Sequence, residues 1–336
     1  MPFRPARGDF PTIPLPRDMP PTITIVIDTE EEFDWSGPFD PANTSVENIA
    51  EQHLAQTILS AHGVRPTYVV TYPVATSASA AATLRAFADA GKCQIGAHLH
   101  PWVTPPNRAR VDSQHSYAGN LPADEERAKL TALTEAIETA FGARPTIYKA
   151  GRYGLGPTTA QTLAALGYAV DVSLVPYSDF SADGGPDFSQ IPDNPVHLGP
   201  QILGLPLSVG FCGRLAPWGP VLYTAISTAI ARALHLPGIA ARLGLLERLR
   251  LTPEGHSYAD MVRQVRAALR AGVRSFMLTY HSSSLLPGAT PYVRDAAART
   301  EFLHTLDRFL ATFLGELGGR ADTVAHLASR LRVTAQ

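Results

Sequence analysis

The sequence is poor in cysteine and has no long apolar run. Its two cysteines, Cys93 and Cys212, are far apart and match no metal-binding spacing, so neither a disulfide framework nor a cysteine-ligated metal is expected. A membrane-spanning helix needs a run of about eighteen apolar residues, and none occurs. Residues 1–21 contain proline and arginine but no apolar core of a signal peptide, so they predict a flexible arm on a cytoplasmic protein.

An excess of charge of one sign is also missing. The 336 residues contain 28 Lys+Arg and 30 Asp+Glu, a formal net charge of −2, so nucleic acid is not expected as a partner. Lysine occurs only at Lys92, Lys129 and Lys149, and arginine carries nearly all the positive charge. The composition, 45% hydrophobic and 17% charged, is that of a globular protein long enough for one large α/β domain or two ordinary ones.

Apolar strands alternate with helices along the chain. The predicted strands are residues 22–27, 66–71, 92–98, 146–150, 168–174, 202–207 and 275–280. The predicted helices are residues 45–63, 77–90, 122–142, 158–166, 258–271 and 300–317. This order predicts a parallel α/β sheet or barrel. In such folds functional residues lie at the carboxyl ends of the strands.

Two histidines end the third predicted strand. His98 and His100 are two residues apart on an extended backbone, so their side chains project from the same face. Both rings can therefore reach one divalent metal ion. Pro101 follows and ends the strand. The alternative is a surface histidine beside a core histidine, neighbours by chance.

The first predicted strand runs directly into acidic residues. Five carboxylates fall within seven residues, namely Asp28, Glu30, Glu31, Glu32 and Asp34. Such crowding is unfavourable unless a cation or a function compensates it. An acidic surface loop would account for Glu31, Glu32 and Asp34. Asp28 comes immediately after the apolar run, and a functional role explains it better.

Other candidate residues follow later strands. Arg152 comes just after the strand 146–150, and His281 comes just after the strand 275–280. His115 lies in a loop, either as a third metal ligand or as a solvated side chain. Asp171 lies inside a predicted strand, where it either supports the site or caps a neighbouring loop.

Four short motifs carry a family resemblance. They are Ile27-Asp28-Thr29-Glu30-Glu31, Gly96-Ala97-His98-Leu99-His100-Pro101, Gly151-Arg152-Tyr153-Gly154 and Leu278-Thr279-Tyr280-His281-Ser282. In their order and at their strand ends, they resemble the polysaccharide deacetylase (NodB-homology) family of carbohydrate esterases, in particular members found with exopolysaccharide loci. The resemblance extends over about residues 22–315.

The resemblance implies a distorted parallel (β/α) barrel over residues 22–318, followed by a C-terminal helix and tail over residues 319–336. It implies one divalent metal ion, usually zinc, held by Glu30, His98 and His100. The implied reaction removes an acetyl group, in most cases N-acetyl, from a sugar of a polysaccharide, oligosaccharide or lipid-linked precursor. Asp28 would act as general base on metal-activated water, His281 would protonate the leaving amine, and Arg152 would orient Asp28.

The sequence departs from the family pattern in two places. Thr29 stands where a second aspartate is usual, so the ligand role passes to Glu30, with Asp28 as an alternative ligand. The histidines are two residues apart, whereas the family pair is usually four apart. Two alternatives stay open: another amide or ester hydrolase on the same scaffold, and a catalytically silent member that binds carbohydrate or a biosynthetic partner.

Residues 211–256 are predicted to form a helical insertion with helices at 222–234 and 239–251. Its positive charges are Arg214, Arg232, Arg242, Arg248 and Arg250. A basic amphipathic segment can lie on a membrane surface, here the periphery of the inner membrane, or dock a protein partner. The alternative is that the insertion caps one end of the barrel.

Overall fold

The apolar segments predicted as strands form one curved sheet in the computed structural model, which describes residues 2–107, 111–228, 231 and 234–334. Its strands are β1 (Thr22–Thr29), β2 (Thr67–Val70), β3 (Gln94–Leu99), β4 (Ile147–Ala150), β5 (Val170–Asp171), β6 (Val196–His197), β7 (Leu203–Gly204), β10 (Ser275–His281) and β11 (Arg320–Ala321). The strands β8 (Val209–Cys212) and β9 (Glu247–Arg250) form a separate antiparallel pair.

The order across the sheet is β10-β1-β2-β3-β4-β5-β7-β6, and β11 pairs with β1. All neighbours are parallel except β6 and β7. The chain after β7 then reaches the far edge, where Ser208 Oγ accepts a hydrogen bond from the Met277 amide of β10 at 2.8 Å. The fold is therefore the distorted, incompletely closed (β/α) barrel that the sequence predicted.

Helices cover the outside of the sheet. They are α1 (Gln52–Ala61), α2 (Tyr72–Thr76), α3 (Ala78–Asp89), α4 (Ala123–Phe141), α5 (Thr159–Ala165), α6 (Gly219–Ile226), α7 (Leu236–Arg242), α8 (Tyr258–Arg270), α9 (Ala296–Ala311) and α10 (Val324–Thr334). Helix α9 shows the general pattern, since Phe302, Leu306 and Phe309 point into the core while the opposite face is exposed. No helix among the described residues is long and apolar enough to cross a bilayer.

The N-terminal residues differ from the expected flexible arm. Residues 2–21 lie along the barrel, with the Ile13 amide donating to the Pro195 carbonyl at 2.8 Å. Arg4 pairs with Asp187 at 2.9 Å, and the side chains of Ile13 and Met19 are buried. Apolar residues spaced among the prolines anchor the segment, which composition alone did not indicate.

The insertion also differs from its prediction. The helix expected over residues 239–251 ends at Arg242, and the chain continues as strand β9. Arginine and leucine alternate at residues 248–251, and this period of two suits a strand that buries Leu249 and Leu251. The first predicted helix begins earlier, as α6 (Gly219–Ile226). Arg232 and the rest of that prediction at residues 229, 230 and 233 lie outside the described residues.

Candidate active site

The strand register gathers the predicted site residues at one end of the barrel. Asp28 on β1 is the register partner of His281 on β10, and His98 on β3 is the partner of Lys149 on β4. Register partners on neighbouring parallel strands point to the same side of the sheet. The carboxyl ends of β1, β3 and β10 therefore present Asp28, His98 and His281 to one cavity, and Lys149 on β4 lies buried beside them.

Three buried side chains form a possible metal-binding group. Glu30 Oε2 lies 3.7 Å from His98 Nε2 and 3.4 Å from His100 Nε2, and all three side chains are almost completely buried. Ligands of a tetrahedral ion with bonds of about 2.0–2.1 Å are about 3.3 Å apart. The sequence prediction that Glu30, His98 and His100 converge on one point agrees with this geometry.

Hydrogen bonds fix the orientation of both imidazoles. His98 Nδ1 donates to the Lys149 carbonyl at 3.0 Å, and His100 Nδ1 donates to Glu31 Oε1 at 2.7 Å. Each ring therefore turns its Nε2 toward Glu30, and in the neutral imidazole that nitrogen is the unprotonated one that can bind a metal. Gly151 makes room for this arrangement, since a Cβ there would lie 2.5 Å from His100 Cδ2.

Glu31 is part of this group and not a surface residue, so that expectation is wrong. Burial alone would raise the pKa of Glu31, but the His100 imidazole that it binds lowers the pKa below its ordinary value. Burial likewise acts to lower the pKa of His100, but the Glu31 carboxylate outweighs it and raises the pKa. The pocket between Glu30 and Glu31 therefore favours a positive charge.

The residues present fit a metal ion. Glu30 Oε1 is buried and has no hydrogen-bond partner among the described residues, which is costly for a carboxylate oxygen unless something binds it. Burial lowers the pKa of His98, so its ring stays in the neutral form that a metal requires. Glu30, His98 and His100 could therefore hold one divalent ion.

Asp28 pairs with a residue that sequence analysis did not select. Its two carboxylate oxygens accept hydrogen bonds from Lys149 Nζ at 2.6 and 2.7 Å, and Lys149 also donates to Thr279 Oγ1 at 3.1 Å. Burial alone would raise the pKa of Asp28, but the Lys149 ammonium outweighs it, with help from His98 and His281, and lowers the pKa. Asp28 is therefore ionised at neutral pH.

The prediction that Arg152 orients Asp28 is wrong. Arg152 and Tyr153 both have positive φ, at 53° and 61°, and this turn directs the arginine away from β1. Its guanidinium donates to Ser116 Oγ and stacks on the Tyr117 ring at 4.2 Å. Arg152 still lines the cavity, although it makes no contact with Asp28.

His281 has a fixed orientation and a raised pKa. Its Nδ1 donates to Glu254 Oε2 at 2.9 Å, and its backbone amide donates to Glu254 Oε1 at 2.9 Å. Burial acts to lower the pKa of His281, but the Glu254 carboxylate outweighs it and raises the pKa to about 10. Nε2 then carries a proton and lies 3.6 Å from Asp28 Oδ2.

The charged and imidazole groups described above line one cavity of about 600 Å³, namely Asp28, Glu30, His98, His100, Glu254 and His281. Its walls are largely aromatic, with Phe33, Trp35, Phe39, Trp102, Tyr117, Tyr153, Phe180 and Tyr292. Trp102 stacks on His100 at 4.1 Å between ring centroids, and Trp35 meets His281 edge-on at 4.8 Å. Flat aromatic walls around a polar floor suit a ligand with both apolar faces and polar groups.

Two further candidates lie apart from the possible ligands. His115 is a surface side chain that binds Asp112 at 2.8 Å, outside the Glu30, His98 and His100 group. Asp171 is fully buried and accepts hydrogen bonds from Ser173, whose hydroxyl accepts one from the Ala150 amide. Asp171 therefore supports the end of β4 through Ser173.

Sequence reasoning missed three residues of the site: Glu31, Lys149 and Glu254. Lys149 carried a signal, because a lysine within a buried strand needs a counter-ion. Glu31 lay in the acidic run but was attributed to a loop. Glu254 carried no sequence signal, since it lies beyond β9 in the segment that was assigned to the insertion.

No protein-family model and no curated protein sequence matches the chain. A solved structure, a "putative polysaccharide deacetylase" from Mycobacterium smegmatis, is similar over 97% of this chain and 94% of that chain, at 19% identity and a TM-score of 0.57. This likeness shows a shared fold. At the level of the fold, it confirms the resemblance that the four motifs carry.

Two other structures are more distant. One is a family 4 carbohydrate esterase from Streptomyces lividans in complex with acetate, with 12% identity over 89% of this chain and 91% of that chain and a TM-score of 0.44. The other is a CE4 family pseudoenzyme from Bacillus anthracis, with 10% identity over 98% of this chain and 69% of that chain and a TM-score of 0.47. Neither is similar enough to bear on activity.

Proposed function

We propose that the protein is a metal-dependent hydrolase that removes an N-acetyl group from a sugar of a polysaccharide, oligosaccharide or lipid-linked precursor. One observation carries the proposal. The Glu30, His98 and His100 group, with its unbonded carboxylate oxygen, lies beside an ionised carboxylate and a protonated imidazole in the same cavity. Amide hydrolysis needs these three parts together: an electrophilic centre, a base and an acid.

Glu30, His98 and His100 would hold the metal ion, for which zinc suits two imidazoles and one carboxylate. A bound divalent ion lowers the pKa of water toward neutrality and polarises the acetyl carbonyl. Glu31 would keep the His100 ring in the ligating orientation. Such a partner for the second ring nitrogen is typical of histidines that bind metals.

Asp28 would act as the general base. Lys149 keeps its carboxylate ionised, so one oxygen can accept the proton of the attacking water. Because the ammonium holds both oxygens by short hydrogen bonds, the carboxylate cannot rotate away. Lys149 would thus perform the positioning role that the family resemblance assigned to Arg152.

His281 would act as the general acid. Its Nδ1 proton is held by Glu254, so the Nε2 proton is the one available to the leaving nitrogen. Expulsion of an amine from a tetrahedral intermediate requires that proton, because an amide anion is a very poor leaving group. The aromatic walls of the cavity would hold the apolar faces of the sugar rings.

Metal content tests the first half of the proposal. Elemental analysis of the purified protein should find one divalent ion per chain, and both His98→Ala and His100→Ala should lose it. His115→Ala removes an exposed imidazole outside the group and serves as the matched control. Equal metal content in all four proteins would exclude this site.

Acetate release tests the second half. With chitooligosaccharides as substrate, the wild-type protein should release acetate, while Asp28→Asn and His281→Ala should be slower by about 10²–10⁴-fold with their metal retained. A metal-loaded protein that releases acetate only from O-acetylated sugars would favour an esterase. One that releases none but still binds the oligosaccharide would favour a silent carbohydrate-binding member.

A further inference from the structure

The insertion carries an unusual concentration of exposed apolar side chains. Eight large hydrophobic side chains among the described residues are exposed, and six of them are Trp218, Val221, Leu234, Leu236, Ile239 and Leu243. The other two, Trp35 and Tyr292, line the catalytic cavity. We call these six residues, together with the exposed Arg214 and Arg242, the insertion patch.

The insertion patch belongs to one small folded unit. The Arg214 amide donates to the Gly244 carbonyl at 3.0 Å, and the Leu215 amide donates to the Leu245 carbonyl at 2.8 Å. These bonds tie the chain before α6 to the chain after α7, and the two helices pack on one another. Phe211, Leu246 and Leu249 fill the inner side. The outer side stays open to solvent, where Val221 is 75% exposed.

The charge around the patch has one sign. The sequence contains no aspartate or glutamate between Asp193 and Glu247, whereas Arg214 and Arg242 lie within that stretch. Among the described residues no carboxylate lies within ion-pair distance of either arginine. A second copy of the same patch would bring arginine against arginine. A partner that suits the patch has an anionic surface and an apolar interior beneath that surface.

We propose that the insertion patch docks the protein on an anionic lipid surface. Its leucine, isoleucine and valine side chains enter the boundary between headgroups and acyl chains, where apolar surface leaves water. Trp218 lies at the level of the headgroups, which amphipathic aromatic rings favour. Arg214 and Arg242 bind lipid phosphates. The proposal concerns the surface alone and does not rest on the proposed catalytic function.

The docked orientation has a consequence for the cavity. Helix α6, through Pro220 and Tyr223, lines a second cavity of about 510 Å³. Phe180 and Arg250 line both this cavity and the catalytic one, so the two are adjacent. Docking through the insertion would hold the catalytic cavity near the membrane surface.

Vesicle flotation with the full chain tests the proposal. The protein should float with vesicles of phosphatidylcholine and phosphatidylglycerol in equal parts, remain unbound with phosphatidylcholine alone, and dissociate as salt is raised. Arg214→Glu combined with Arg242→Glu should weaken binding by about 25-fold or more, since each arginine near an anionic surface contributes about fivefold. Ile239→Ser combined with Leu243→Ser should weaken it by about tenfold or more.

The control pair is Arg85→Glu combined with Arg127→Glu. It makes the same change of charge on exposed residues of α3 and α4, on another side of the barrel, and should leave vesicle binding within about twofold. All variants should keep the wild-type unfolding temperature, because the side chains are exposed. Absence of flotation, equal flotation with both lipids, or an equal loss in the control pair would overturn the proposal. A dimer that Ile239→Ser dissociates, without flotation, would also overturn it.

Discussion

The two halves of the candidate active-site cavity are neutralised in different ways. In the acid-base half, Asp28 is paired with Lys149 at 2.6 Å and His281 is paired with Glu254 at 2.9 Å. In the proposed metal half, the charged partners of Glu30 and Glu31 are imidazoles, and no lysine or arginine of the described chain is within ion-pair distance of them. The first half is balanced by its own ion pairs, whereas in the second only imidazoles face the carboxylates, and the proposed metal ion would supply further positive charge.

This difference predicts which perturbations affect each half of the cavity separately. A buried ion pair within the protein loses both its charge balance and its hydrogen bonds when one partner is removed. A group that binds a metal can exchange its ion with solution, so its stability depends on the free metal concentration. The acid-base half should therefore be sensitive to mutation and insensitive to chelators, and the metal half should respond to both.

The largest effect is expected at Lys149. Lys149→Met leaves the buried Asp28 without a counter-ion, so the free energy of unfolding should fall by about 3–5 kcal/mol. Urea unfolding followed by circular dichroism measures this loss. Acetate release should fall as well, because the pKa of Asp28 is no longer held down.

Arg152→Met is the matched control, because it removes a cation from the same cavity without touching Asp28. Its loss of stability should be clearly smaller. If the two variants were equally unstable and equally impaired, the assignment of Lys149 as the partner of Asp28 in solution would fail.

An intermediate effect is expected at Glu31. Glu31→Gln weakens the hydrogen bond that orients His100, so metal affinity should fall by about 10–100-fold without loss of the fold. Competition with a chromophoric chelator measures the affinity. Glu32→Gln is the matched control on the next residue, where the carboxylate accepts from the Asn48 amide and caps a helical turn. If Glu31→Gln leaves the metal affinity unchanged, Glu31 does not support metal binding.

The smallest effect is a shift in pH dependence at Glu254. Because Glu254 raises the pKa of His281 to about 10, the acid form persists across neutral pH and is lost as pH rises through that value. Glu254→Gln removes the anion, so the alkaline limb of kcat/KM should move to lower pH by about 1–3 units. The free energy of unfolding should depend on pH in the same direction. The stability that the wild type has over the variant is fully present at low pH and disappears above about pH 10.

Glu247→Gln is the control, since that carboxylate pairs with Arg263 at the surface. It should leave the alkaline limb in place. An unchanged limb in Glu254→Gln would show that another group donates the proton.

The fold and the positions of five site residues could be predicted because they depend on short-range patterns. Alternating strands and helices imply a parallel barrel, and such a barrel brings strand ends together. Each of the five residues follows or ends a recognisable apolar run, and the structure brings all five to one end of the barrel, namely Asp28, Glu30, His98, His100 and His281. The two-residue spacing of the histidines proves compatible with convergence, because Nδ1 of each ring has its own acceptor.

The ion-pair partners could not be predicted because they depend on register and backbone direction. Lys149 meets Asp28 across the curved sheet, although two strands, β2 and β3, lie between β4 and β1. Arg152 has the residue type that the family motif favours, but a positive φ turns it outward. Glu254 reaches His281 from a segment beyond β9, more than twenty residues earlier in the chain. The sequence indicates that Lys149 needs a counter-ion but not which one, and it carries neither of the other two facts.

The three tryptophans of the chain provide one optical reporter for each feature described above. Trp102 stacks on His100, and Trp35 contacts His281 edge-on, so the fluorescence of each depends on the charge of a different imidazole. Trp218 is 60% exposed on the insertion patch, where entry into lipid would shift its emission to shorter wavelength. Single-tryptophan versions of the protein would thus follow metal loading, proton transfer and vesicle binding as three separate signals, without an added label.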